Sequence, residues 1–133
     1  MHRKHKQHIM GLKILSAKKF NVNLKCSIHA SGKLGFTDGT MKTLELTEKS
    51  GVKFAQDEED EDILYLINCT ETDEDAFKVN KAGNYYYVNA KSLFDNLGLD
   101  YRSNTIMFDM VEVPEEGEGV YKLFKRIKPR NKN

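Results

Sequence analysis

Tryptophan is absent from these 133 residues, and cysteine and proline occur only twice each. Two cysteines, Cys26 and Cys69, are too few and too far apart for a disulfide framework or a structural zinc site. No apolar run approaches the ~18 residues that a membrane helix needs. Residues 9–15, interrupted by Lys13 and without a small-residue cleavage site, do not read as a signal peptide. A cytoplasmic protein with no membrane partner is therefore expected. Glycine-rich phosphate loops, nucleophile elbows and metalloprotease motifs are missing. The acidic runs 57–62 and 71–75 lack the glycine and alternating ligands of a calcium loop. His2, His5 and His8, three apart, read as part of a disordered basic tail rather than a metal site, and His29 as solvated. Neither cysteine has a nearby histidine or basic cluster to lower its pKa. No enzyme is expected, and no catalytic residue, metal or cofactor is implied.

What is present is globular. The chain is 39% hydrophobic with six Tyr and seven Phe, too many large apolar side chains for a disordered polymer, and its length suits one domain. The net charge of +1 conceals a segregation. Residues 1–33 hold eight Lys/Arg and no acid, and residues 121–133 hold six more and no acid, so the ends carry +14 and the middle −13.

Residues 1–12 lack an apolar period and are expected to be a flexible basic extension. From Phe20 to Ala30 apolar and polar residues alternate strictly, which predicts a half-buried strand. A turn at 31–33, a return strand over 34–37 and a short helix over 39–44 capped by Asp38 follow. Val52 and Phe54 open another strand, and 63–67, apolar on both faces, reads as a central one. The second half repeats this order. A hairpin joins 77–80 to 85–88, and Asn89 caps a helix over 90–97 with Leu93, Phe94 and Leu97 on one face. Gly98 ends that helix, and strands over 105–113 and 120–128 complete the half.

The halves show a register. Ser31-Gly32-Lys33 matches Ala82-Gly83-Asn84, which sets Cys26 on Phe77 and Ile28 on Val79; Leu44-Glu45-Leu46 matches Leu97-Gly98-Leu99, and Phe54 matches Phe108. Each half is too small to bury a core alone. The expected fold is therefore mostly β (α+β): two interleaved ββαββ repeats, about 20–69 and 76–128, forming one small barrel-like β body with two short helices. The single domain spans 13–128, followed by a basic tail over 129–133.

The order Gly32-Lys33-Leu34-Gly35-Phe36, Met41, Leu44-Glu45-Leu46, Gly51-Val52-Lys53-Phe54 and Leu64-Tyr65-Leu66 resembles the AbrB/MazE/MraZ swapped-hairpin pattern. The second half is similar again at Gly83 to Tyr87, Phe94, Leu97-Gly98-Leu99 and Ile106-Met107-Phe108. The resemblance implies two units interlocked in one chain and DNA binding as a transcriptional regulator or antitoxin. Where that family runs into Ile-Pro and a basic helix, this chain has Thr37-Asp38-Gly39 and Val88-Asn89-Ala90, with Lys42 and Lys91 but no Arg on the helices. A rival grouping of strands 51–56, 62–69, 76–80 and 85–88 with the helix over 90–97 resembles the whirly/PUR type of single-strand binder. Tyr85 and Tyr87, sharing a strand face, would then stack unpaired bases. The favoured reading leaves them as cross-strand packing residues.

The expected function is nucleic-acid binding, with duplex DNA as the polymer, through a basic face built from both chain ends: Lys18, Lys19, Lys25, Lys33, Lys122, Lys125, Arg126, Lys128 and Arg130. Engaging about six phosphates implies a log–log salt slope near −5. The alternative is an intracellular protein-interaction module that binds no nucleic acid. A homo-oligomer stays open.

Overall fold

The computed structural model describes residues 8–9, 11–15 and 23–130. The end of the expected extension is paired: β1 (His8–Ile9) runs antiparallel to β2 (Leu12–Lys13). The alternating run yields β3 (Leu24–Ile28), with Cys26 and Ile28 inward. Residues 20–22 of the expected strand lie outside the described residues, and Ala30 belongs to the following turn rather than to the strand. The chain then forms β4 (Lys33–Phe36), α1 (Asp38–Thr43), β5 (Ser50–Gln56) and β6 (Leu64–Thr70). It continues through β7 (Phe77–Ala82), β8 (Tyr85–Asn89), α2 (Lys91–Asn96), β9 (Asn104–Glu112), a 3₁₀ turn (Pro114–Glu116) and β10 (Val120–Pro129).

Strands β3 to β10 close into one antiparallel barrel in the order β10-β6-β5-β7-β8-β4-β3-β9. Each half contributes two hairpins, β3–β4 and β5–β6, then β7–β8 and β9–β10. The halves exchange partners: β3 pairs with β9 and β7 with β5, while β4 meets β8 and β6 meets β10. Exchanging β3 with β7, β4 with β8, β5 with β9 and β6 with β10 leaves the neighbour list unchanged. That is the interleaving expected of a duplicated unit, and closure removes the unpaired edges that either half alone would expose.

The core is the inward row of each strand, including Cys26, Ile28, Leu34, Val52, Leu66, Val79, Val88, Ile106 and Phe108. Strand β6 is buried on one face only; Leu66 points inward while Tyr65 and Ile67 are half-buried, because a barrel strand has one inner side. The four strands of the rival grouping are neighbours in the ring. They do not stand apart as a sheet, since β6 continues to β10 and β8 to β4.

The helix ends differ from expectation at their starts. Thr37, not Asp38, caps α1, its Oγ1 accepting from Thr40 N at 3.4 Å, and Asp38 instead pairs with Lys42. Ala90 occupies the cap position of α2 without a side-chain bond, because Asn89 remains in β8 opposite Lys33. The C-terminal ends agree. Leu46 N donates to Met41 O and Leu99 N to Phe94 O, across Glu45 at φ 53° and Gly98 at φ 73°. This is the same left-handed helix stop in each half.

The equivalence of Phe54 with Phe108 is corrected. Cys26 pairs with Phe108 and its counterpart Phe77 pairs with Val52, so Val52 is the true match. The second half carries three extra residues between helix and strand, and Tyr101, fully buried, sits there. Leu44 is buried as expected, whereas Leu97 is only partly so.

Candidate nucleic-acid interface

The basic first quarter of the chain runs through β3 to the start of β4 and the basic last tenth forms most of β10; β3 and β10 both pair with β9, one on each edge. The two charged ends therefore become neighbours. Outward positions alternate with the core row, so one outer row runs Tyr87, Gly35, Ser27, Met107, Arg126 across β8, β4, β3, β9 and β10. The next row holds Lys25, Asp109 and Phe124.

Lys25 is fixed by α1. The buried Thr40 Oγ1 accepts from Lys25 N at 2.8 Å and donates to Lys25 O at 3.0 Å, with Thr37 Oγ1 adding a bond to the same carbonyl at 3.3 Å. Lys33 Nζ lies 4.7 Å from the centre of the Tyr87 ring, and Lys122 Nζ lies 5.2 Å from that of Phe124. Lys128 stands opposite Thr105 on the outer side of β10, exposed. Among the described residues no ion pair involves Lys25, Lys33, Lys122, Lys125 or Lys128.

Three of the expected residues stand apart from this set. Arg126 is held by Asp109, with Nε 2.8 Å from Oδ2 and Nη2 3.0 Å from Oδ1, a two-pronged pair that offsets its charge. Lys125 pairs with Phe108 and so faces the other side of the β9–β10 ribbon, lining a cleft with Glu61, Asp62, Leu97 and Leu99. Arg130, expected in a phosphate-contacting tail, is folded onto the barrel end. Its Nε and Nη2 donate to Tyr101 O at 3.0 and 2.8 Å, and further bonds of 3.4 Å reach Ile28 O and Thr105 Oγ1. A guanidinium placed near main-chain carbonyls in a partly buried site satisfies them better than water could. Lys18, Lys19 and residues 131–133 lie outside the described residues.

An aromatic cluster accompanies the cations on β8. Tyr85 and Tyr87 share the outer face, with ring centres 6.0 Å apart and planes 21° from parallel. Tyr85 leans across Gly35, and its hydroxyl lies 2.6 Å from His29 Nε2. A Cβ at position 35 would fall 1.6 Å from that hydroxyl and 2.8 Å from the imidazole, so only glycine leaves room for the crossing. Burial and the nearby cations Arg130 and Lys33 push the His29 pKa down, and burial pushes that of Tyr85 up. His29 is exposed, as expected of a residue on the polar face, but its bond to Tyr85 and the role of Gly35 are not legible from the alternation. The available signal was a lone glycine inside a strand, Lys33-Leu34-Gly35-Phe36, which marks a close approach.

Away from this surface Asp95 collects Tyr101, Lys91 and Arg102. The Tyr101 hydroxyl donates to it at 2.5 Å, and that bond, then Lys91, holds the carboxyl below its usual range. Both Asp95 oxygens are engaged within the cluster, which reads as a brace for α2. The acidic loops 57–62 and 71–75 join β5, β6 and β7 on the other arc of the ring. Comparison with protein-family models, curated proteins and solved structures found no match for this chain.

Proposed function

We propose that this protein binds nucleic acid through the outer surface of β4, β3, β9 and β10. The observation that carries the reading is the convergence of both basic chain ends on β9, with Lys25, Lys33, Lys122 and Lys128 unpaired by acids among the described residues. Phosphate attraction is cumulative and long-ranged, so four such cations on adjacent strands supply binding that no single one would. The likeness of the repeats to swapped-hairpin regulators supports DNA as the polymer and a regulatory role.

With Lys125 turned away and Arg126 and Arg130 engaged, about four phosphates are expected to be neutralised, a log–log salt slope of roughly −3.6 rather than −5. An electrophoretic shift assay on duplex and single-stranded DNA from ~50 mM salt upward measures this. Asp109→Asn frees Arg126 and removes a negative charge from the arc; it should tighten binding and steepen the slope by about one. Lys25→Gln should weaken binding and make the slope shallower. No retardation of either DNA at the lowest salt refutes the proposal.

A second reading, a protein-interaction module, draws on one feature. Ile127 is 55% exposed in an open groove of about 840 Å³ with Thr105, Met107 and Pro129. Loss of all nucleic-acid binding in the same assay would favour it.

A further inference from the structure

The cations attract phosphates of any polymer; what lies between them decides whether its bases are paired. We propose that Tyr85 and Tyr87 form a stacking platform for unpaired bases, so that the ligand is a single-stranded nucleic acid whose phosphates lie on Lys33 and Lys25. This rests on the nucleic-acid reading above and specifies it.

Four observations converge. The two rings are near-parallel on the outer face of β8 and half-buried. The Tyr85 ring is seated over Gly35 and tied to His29 Nε2, so little ordering of that ring remains to be done on binding. Lys33 belongs to the next strand and already lies over the Tyr87 ring at 4.7 Å, and both Lys33 and Arg130 act on His29 electrostatically, which makes the surroundings positive. No carboxylate pairs with either tyrosine or with Lys33 among the described residues.

An exposed cation–π contact is weak. When a phosphate draws the Lys33 ammonium off the ring, the vacated face of Tyr87 is offered to the attached base. One lysine thus exchanges a ring for a phosphate while the ring exchanges a lysine for a base. Duplex DNA gains only the phosphate half of this exchange, because its bases are already stacked on one another.

The test compares fluorescein-labelled oligomers of twelve thymidylates, twelve uridylates and a twelve-base-pair duplex by anisotropy on the full chain at ~50 mM salt, where electrostatic binding is strongest. Single strands should bind more tightly than the duplex. Tyr87→Leu, which keeps a strand-compatible apolar side chain, should weaken single-strand binding about 5- to 150-fold, the usual value of one stacked base. The salt slope should stay unchanged, since no charge is lost. Tyr85→Phe keeps the ring but loses its tie to His29 Nε2, and should weaken single-strand binding less than Tyr87→Leu does. A thymidylate or uridylate preference supports the proposal either way and tells which sugar the site takes. In a separate measurement needing no variant, the ring protons of Tyr85 and Tyr87 should shift upfield on adding unlabelled twelve-thymidylate.

A Tyr87→Leu protein with parental melting temperature and unchanged single-strand affinity overturns the platform. So does a set of unmoved ring resonances in the presence of bound strand. If the duplex binds as well as the single strands and is equally insensitive to Tyr87→Leu, the platform falls while the nucleic-acid reading stands. If none of the three oligomers binds, both fall.

Discussion

Replacing Gly35 by alanine should destabilise the protein, and doing so in a Tyr85→Ala background should stabilise it. The backbone at Gly35 carries no left-handed strain, so alanine is conformationally acceptable there, and in a strand interior it is worth about 0.5–1 kcal/mol over glycine through the unfolded chain. Against this stands a methyl group 1.6 Å from the Tyr85 hydroxyl. The ring must lift, which forfeits the bond to His29, about 1 kcal/mol, and the contact of a half-buried aromatic, about 1 kcal/mol more. The single substitution should therefore cost roughly 1–1.5 kcal/mol. With Tyr85 already removed, His29 is free to turn away and only the backbone gain remains.

The coupling between the two positions, about 2 kcal/mol, is the quantity to measure. Urea titrations of the four proteins of the cycle, followed by far-ultraviolet circular dichroism, resolve it if the slopes stay constant. Equal effects of Gly35→Ala in both backgrounds would show that Tyr85 does not cross the glycine, and the aromatic platform would lose its seat.

Two further outcomes follow from the geometry. Glu45, exposed and at φ 53°, stands where the other half has Gly98; Glu45→Gly should raise stability by about 0.5 kcal/mol, the left-handed penalty less the glycine entropy, and a lower urea midpoint would contradict the matched helix stops. His29 has its pKa lowered, first by burial and then by Arg130 and Lys33, so the folded state resists protonation more than the unfolded chain. Its contribution is complete above the unfolded value of about 6.5 and is lost as pH falls from there through the lowered folded value. His29→Gln should flatten that part of the stability-against-pH curve, and a parental curve would show that His29 is not held as described.

The parts legible in the sequence are those set by neighbours along the chain. Alternation from Leu24 to Ile28, the hairpin turns and the Gly98 helix stop all follow from local chemistry, and β7 and β8 lie within two residues of their expected bounds. The caps at Thr37 and Ala90 were missed because pairing decides them. Asn89 is the better capping residue by type, but its strand bonds with Lys33 keep it extended. Glu45 carries no mark of a left-handed residue; only its place opposite Gly98 in the repeat points to it. The misalignment of Phe54 with Phe108 came from reading identity where the three extra residues around Tyr101 had moved the register. For the candidate site, the charge segregation named the strands that carry the basic residues but could not say which cations are engaged. Arg130 was counted as tail because its acceptors, Tyr101 O and Ile28 O, are main-chain atoms distant in sequence.

The same pairing explains why one acid stands among so many bases. Bringing the two basic ends to either edge of β9 sets cations of β3 and β10 on the same outer surface, and like charges across adjacent strands destabilise a sheet. Asp109 lies on β9 opposite both Lys25 and Phe124 and binds Arg126 from the far strand. It relieves the repulsion where the two ends come closest, at the cost of one cation withdrawn from any polyanion. Outward from it, Lys33 and Lys122 lie over Tyr87 and Phe124 rather than beside carboxylates. An aromatic face steadies an ammonium without cancelling its charge, so these cations stay available to a phosphate. An acid at the centre and aromatics toward the edges let the barrel close with its basic ends together and still present a positive surface.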